Sequence, residues 1–207
     1  MEFTVYKKSF SPPSINKQEV LRYAGCKETR EEVELLFNEA LKQTEGKLTY
    51  SVCFCKVPIK INDEYVDLSF AKTHSLHLTK CLVGCGYAYI FAATIGLNMD
   101  RLIAKATKTS PALAVMLQAL GAERIEALCN KFEEYITKQS SEDISLKPRF
   151  SPGYGDLPLS FQKEIFSFLG CYKQIGLSLN DSLIMSPSKS VTAIIGILEK
   201  TITKKQI

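Results

Sequence analysis

Apolar residues change their period several times along the chain, and each change marks an element. Asn16, with Glu19 three residues on, has the form of a capping box and predicts a short helix that Gly25 ends. Val33, Leu36, Phe37, Ala40 and Leu41 recur at helical spacing, while Glu31, Glu32, Glu34, Glu39 and Lys42 face away. That pattern predicts an amphipathic helix stopped at Gly46. The period then falls to two. Leu48, Tyr50, Val52 and Phe54 alternate with small or polar residues, Val57, Ile59 and Ile61 continue the alternation, and Asn62-Asp63 makes a turn. Further strands are expected at Tyr65 to Phe70 and Ala88 to Ala93, and the region of residues 74–85 also reads as strand. A long helical region follows from about Met99 to Lys138, broken near Pro111, with Leu113, Met116, Leu117, Leu120, Ile125 and Leu128 as its apolar stripe. Lys138 to Pro148 is polar and reads as a surface connection. Phe161 to Leu169 reads as a helix closed by Gly170, with strands at Ser182 to Met185 and Ser190 to Leu198. Strands mixed with helices, without βαβ regularity, predict an α+β fold.

Composition narrows the class. The chain has 207 residues, 45% hydrophobic and 23% charged, as an ordinary globular protein has. The net charge is +4, and lysines and acids are interspersed; Lys204-Lys205 near the end reads as a solvated pair. No basic block exists to neutralise a phosphate backbone, so no nucleic acid partner is expected. Cys81 to Met99 carries no charge and nearly matches a bilayer in length. It contains Gly84, Gly86, Gly96, Tyr87, Tyr89 and Thr94, however, and stands alone. It reads as a buried strand turning into a helix, not as a membrane span. Lys7-Lys8 interrupt what would be the apolar core of a signal peptide, and seven cysteines are an odd number. Reduced thiols and a cytoplasmic location are the expectation.

Some of those thiols invite a metal site. His74, His77, Cys81 and Cys85 could bind zinc tetrahedrally, but their spacing is not that of a zinc knuckle, and strand alternation would not converge all four. No metal is expected. Cys53 and Cys55 fall on one strand face and read as core. A Cys-X-X-Cys pair and any complete phosphate-binding glycine loop are absent.

The segment Arg149-Phe-Ser-Pro-Gly-Tyr-Gly-Asp-Leu-Pro158 is the most distinctive of the chain. Its glycines and prolines hold an irregular backbone. Gly153 allows main-chain groups to approach a ligand closely. Arg149 offers a fork for a carboxylate, and Tyr154 a flat face with a hydroxyl. Composition leaves two readings open: an ordinary surface turn, the commoner case, or a clamp for a small carboxylate-bearing ligand.

Arg149, Ser151, Pro152, Gly153, Tyr154 and Pro158 resemble the Arg-Pro-Ala-Pro-Gly-Tyr…Pro signature of the activation domain of cobalamin-dependent methionine synthase. Met185, Pro187, Ser190 and Val191 resemble its Met-Trp-Pro-Gly-Ala-Ser-Val segment. Ala92-Ala93-Thr94-Ile95-Gly96 with Asp100, and Leu120-Gly121 with Ile125-Glu126-Ala127-Leu128, resemble short free-standing relatives. The likeness runs over residues 88–195, and the whole of 1–207 is expected to form one unit of this kind. Two departures stand out: Ser186 replaces the tryptophan, and a later tyrosine pair has no counterpart before Ile207.

The resemblance implies a twisted, largely antiparallel sheet with flanking helices. It implies an S-adenosylmethionine site at Arg149, Ser151, Gly153 and Tyr154, with Glu126 facing the ligand's ammonium group; a solvated helix acid is the other reading of Glu126. It further implies an accessory role in the reductive methylation that reactivates cob(II)alamin on a methionine synthase. No catalytic acid or base is needed, since the protein's contribution would be proximity and orientation. An Asp-X-His-X-X-Gly motif for cobalamin is absent, so cobalamin is expected on a separate partner chain, with a low-potential electron donor such as a flavodoxin or ferredoxin. The alternative is a non-catalytic module that binds a corrinoid protein without using S-adenosylmethionine.

Overall fold

The protein is described by a computed structural model covering residues 3–26, 28, 30–62, 64–140 and 144–199. In chain order the elements are β1 (Tyr6–Phe10), α1 (Lys17–Tyr23), α2 (Glu31–Thr44), β2 (Tyr50–Pro58), β3 (Lys60–Ile61), β4 (Val66–Asp67), β5 (Lys72–Thr73) and α3 (Leu76–Leu82). Then come β6 (Tyr87–Thr94), α4 (Asn98–Thr109), α5 (Pro111–Gln139) and β7 (Ile144–Leu146). After a 3₁₀ turn (Leu159–Phe161) follow α6 (Gln162–Leu169), α7 (Cys171–Ile175), β8 (Ser178–Leu179), β9 (Met185–Ser186) and β10 (Ser190–Glu199). The fold is α+β, around a five-stranded sheet in the order β1-β2-β6-β10-β7 whose neighbours are all antiparallel.

Both faces of the central strands are covered, and this explains their sequences. Val52 and Phe54 of β2, Phe91 and Ala93 of β6, and Ala193 and Ile195 of β10 pack under the helical layer of α1, α2, α4 and α5. Cys53, Cys55, Ile90, Ala92 and Ile194 point the other way, onto Leu78 and Leu82 of α3, Ile165 and Leu169 of α6, and Cys171 of α7. A strand buried on two faces loses the polar half of its alternation. The uncharged run from Cys81 to Met99 is therefore the end of α3, all of β6 and the start of α4. No helix among the described residues is long and apolar enough to cross a membrane.

The helical layer follows the expected pattern. Asn16 caps α1 by accepting from the Glu19 N–H at 3.2 Å. The long helical region is two helices, with Pro111 in the first turn of α5, where its missing N–H breaks nothing. A buried ion pair on α5 ties the N-terminal connection to this layer. Arg124 pairs with Glu123 at 2.6 Å and donates to the carbonyls of Pro13 and Ser14 at 2.7 Å each, and Glu123 accepts from the Asn16 N–H at 3.0 Å. Removing one partner of such a pair leaves a buried charge uncompensated, at a cost of about 3–5 kcal/mol.

Several elements differ from the sequence reading. Residues 76–82 form a helix, α3, not a strand: Leu76 and Leu78 mimic alternation, but Leu78 and Leu82, four apart, are the buried pair, and Ser75 caps the turn by accepting from Leu78 N–H. The strand expected over 65–70 shrinks to Val66–Asp67, and that over 182–185 to Met185–Ser186. Five short elements, β1, β5, β7, α7 and β8, are additional. The turn at Asn62 is held by its Oδ1, which accepts from Glu64 and Tyr65; Asp63 and Lys204-Lys205 lie outside the described residues.

Candidate functional site

The strand β10 is long and its outer neighbour β7 is short, and the site occupies the difference. Ile197 to Glu199 pair with β7, and Phe150 continues the pairing by exchanging both hydrogen bonds with Ile194 at 2.9 Å. The facing chain then turns away at Ser151-Pro152. The same alternation that turns the main chain of Gly196 to Lys147 and of Ile194 to Phe150 turns Thr192 to this edge. Register carries Pro152 opposite Thr192, and proline has no N–H to give.

A groove of about 570 Å³ fills this gap, within the span of about 300–1,000 Å³ usual for small-molecule sites. One wall comes from α5 (Glu126, Glu133), another from Arg149, Ser151, Pro152 and Tyr154, and a third from Gln162 of α6 with Met185 and β10. The loop is built to stay open. Gly153 (φ +91°) and Gly155 (φ +54°) take left-handed backbone that other residues resist, and a Cβ on Gly155 would meet His77 Nδ1 at 2.2 Å. The Gly153 and Leu157 N–H groups donate within the loop, to Leu157 O at 2.9 Å and Tyr154 O at 3.1 Å. Asp156 fastens the loop to α3, accepting from the main chain of Leu76 at 2.7 Å and of His77 at 3.2 Å, and from the Ser75 hydroxyl.

Of the residues expected at the site, Glu126, Arg149, Ser151 and Tyr154 line the groove, and Gly153 shapes the loop from behind. Arg149 lies against α5, on Glu126 at 2.9 Å, Asn130 at 3.0 Å and Glu133 at 3.1 Å. Half-burial pushes the Glu133 carboxyl above the ordinary glutamate value; Arg149 opposes this shift, and Glu126 adds to it. Two carboxylates around one guanidinium leave a net charge of −1, which suits a ligand of net positive charge.

The opposite wall is neutral and incomplete. Gln162 Oε1 and Thr192 Oγ1 are buried without a hydrogen-bond partner, on residues only 6% and 2% exposed. Such an orphan costs about 1–3 kcal/mol unless a ligand or water meets it, so the pair makes this wall a candidate ligand contact. A cleft of about 610 Å³ on the far side of Glu126, between α1 and α5, holds no such pair; its buried acid, Glu123, is already bound to Arg124.

Glu133, Gln162 and Thr192 were not anticipated. Glu126, Asn130 and Glu133 stand at i, i+4 and i+7, a spacing visible in the sequence. The metal candidates stay apart: His74 Nδ1 meets Glu64 O at 2.8 Å, His77 lies beside Asp156, and Cys81 Sγ faces Pro148 O. Among the described residues no group of three or more His, Cys, Asp or Glu side chains could hold a metal ion. All seven cysteines are free, five of them buried, and burial pushes the Cys129 thiol up to about 12.

The distant segments that carried the resemblance meet here. Ser188 N–H donates to Asp100 at 2.9 Å, and the Ser190 hydroxyl donates to Thr94 Oγ1 at 2.8 Å. No curated protein sequence matches the chain. Among solved structures, the fold is similar to that of the MetH reactivation domain bound to AdoHcy, with a TM-score of 0.67 and 17% identity, covering 93% of this chain and 78% of that one. The family described as vitamin B12 dependent methionine synthase, activation domain, matches residues 81–201, a span that holds the Arg149 loop, α5 and β10. With more than half its length so matched, the chain belongs to the family of methionine synthase activation domains.

Proposed function

We propose that the chain, acting as one unit over residues 1–207, binds S-adenosylmethionine in the groove beside Arg149 and presents its methyl group to a cobalamin carried by a separate methionine synthase chain. The observation that carries this reading is the groove itself. It sets a net negative Arg149–Glu126–Glu133 cluster against two buried polar atoms without partners. The donor set fits the ligand. Arg149 takes the carboxylate, Glu126 and Glu133 face the ammonium and sulfonium charges, and the strand edge at Thr192 offers main-chain groups. The cobalamin would supply the organometallic chemistry. With one electron from a low-potential donor, the partner's cob(II)alamin would take up the sulfonium methyl group that this chain holds, leaving S-adenosylhomocysteine in the groove. This chain contributes binding and orientation, with no acid or base of its own, and works in the cytoplasm as an accessory subunit.

The second reading, a corrinoid-protein binding module that ignores S-adenosylmethionine, draws on Arg149 being already engaged by two carboxylates. The unpartnered Gln162 and Thr192 atoms weigh against it. Calorimetric titration with S-adenosylmethionine separates the two. Binding is expected for the wild type, and Arg149→Ala should weaken it by about 2 kcal/mol through loss of a charge-assisted pair. Equal curves for wild type and variant would remove Arg149 from the site.

A further inference from the structure

Two uncharged polar side chains on the far wall of the groove remain unexplained by the charged cluster, and they have a specific use. Gln162 stands in the first turn of α6, on the face turned toward the sheet, and is 6% exposed. Thr192 is on β10 and 2% exposed. Its side chain points to the α6 side of the sheet, since Val191 and Ala193 on either side of it pack toward α5. Both line the groove, and the amide oxygen of one and the hydroxyl of the other make no hydrogen bond. Buried polar atoms are almost always paired, and these two are paired by nothing among the described residues.

We infer that Gln162 and Thr192 hold the nucleoside end of the ligand. The inference rests on the S-adenosylmethionine reading above and assigns its orientation. The ligand carries all its charge at one end, in the carboxylate, ammonium and sulfonium groups. Its other end bears only neutral donors and acceptors, the ribose hydroxyls and the adenine edge. The groove is divided the same way. Arg149, Glu126 and Glu133 lie on the α5 side of β10, and Gln162 and Thr192 lie on the α6 side. A neutral amide and a hydroxyl replace the water around an ion poorly, whereas they match neutral donors group for group. The charged end therefore goes to the α5 wall and the nucleoside crosses the strand edge to the α6 wall. Gln162 Oε1 accepts from a ligand N–H or O–H, and the Thr192 hydroxyl serves as donor or acceptor.

The test compares two ligands on the full chain by calorimetry: S-adenosylmethionine, and 5′-methylthioadenosine, which keeps the nucleoside and lacks the amino-acid end. Gln162→Met and Thr192→Val should each weaken both ligands about tenfold, the scale of one lost buried hydrogen bond. Arg149→Ala should act on S-adenosylmethionine far more than on methylthioadenosine, which has no carboxylate. Melting of the ligand-free variants supplies the control. Because these polar atoms have no partner without ligand, replacing them with apolar groups of similar shape should leave Tm equal or higher. Variants that melt lower but bind both ligands normally would show a structural role and overturn the inference. Loss confined to S-adenosylmethionine would overturn the nucleoside assignment. Wild-type protein that binds neither ligand would overturn this inference together with the reading on which it rests.

Discussion

On α5 the side chains of Glu126, Asn130 and Glu133 form one stripe, and all three reach Arg149. The stripe makes ligand affinity depend on pH in a direction that can be stated. Half-burial raises the Glu133 pKa from its ordinary 4.5, so this carboxyl holds its proton to a higher pH than a solvated glutamate does. A ligand of net positive charge favours the ionised form, and binding therefore releases a proton. Affinity for S-adenosylmethionine should rise as pH climbs from 4.5 through the raised value and level off toward neutrality. In Glu133→Gln the rise should be absent and the neutral-pH affinity lower, as titrations across that range would show; an unchanged profile would mean that Glu133 does not face the ligand. Residues of this kind were partly legible. Glu126 and Arg149 could be named from their motif, and the i, i+4, i+7 spacing could have added Asn130 and Glu133. Gln162 and Thr192 could not. A threonine in Val-Thr-Ala-Ile-Ile looks like any β-branched strand residue, and whether its hydroxyl finds a partner depends on where a neighbouring chain turns away.

At the scale of elements, the Arg149 loop keeps its shape by leaning on α3. Asp156 accepts hydrogen bonds from two main-chain N–H groups at the start of that helix and from Ser75, where the helix dipole also favours a negative charge. These contacts, the Ser75 hydroxyl first, hold the Asp156 carboxyl below its ordinary 3.8. A depressed folded-state pKa gives stability that is present above 3.8 and lost as pH falls through the folded value. Asp156→Ala should therefore melt below the wild type at neutral pH, and the gap should close in acid; parallel curves at all pH values would assign the loss to packing instead. The same region shows where periodicity misleads. In Leu76-His-Leu78 two leucines two apart imitate a strand, while the pair that decides the structure, Leu78 and Leu82, is four apart. The long helices and central strands were readable because their apolar periods run for several turns or full strand lengths. β1 was not, since Tyr6-Lys-Lys-Ser-Phe10 is an edge strand whose lysines guard its open side. Three-residue β7 and five-residue α7 are too short to show a period at all.

Across the whole molecule, layers on both faces of the sheet leave only its edges for a ligand to reach the main chain, and the groove lies at β10's outer edge beside an exposed Tyr154. A methyl group held in such a position is open to a second protein, which is what an activation domain without its own cobalamin motif would need. The expected outcome is reactivation in trans. A methionine synthase that lacks its own activation domain, inactivated to cob(II)alamin, should regain methylcobalamin only when this chain, S-adenosylmethionine and a low-potential electron donor are all present. The visible spectrum reports the conversion directly. On the proposed reading the protein would speed the step by raising the local concentration of methyl donor at the corrin ring, a proximity effect that would vanish when the ligand is not held. Arg149→Ala should therefore slow conversion at low ligand concentration and approach the wild-type rate as S-adenosylmethionine is raised, because the variant loses binding rather than chemistry. Conversion at the same rate without this chain would remove the proposed role. A rate that stays low for Arg149→Ala at saturating ligand would place Arg149 in the contact with the partner instead of the contact with the carboxylate.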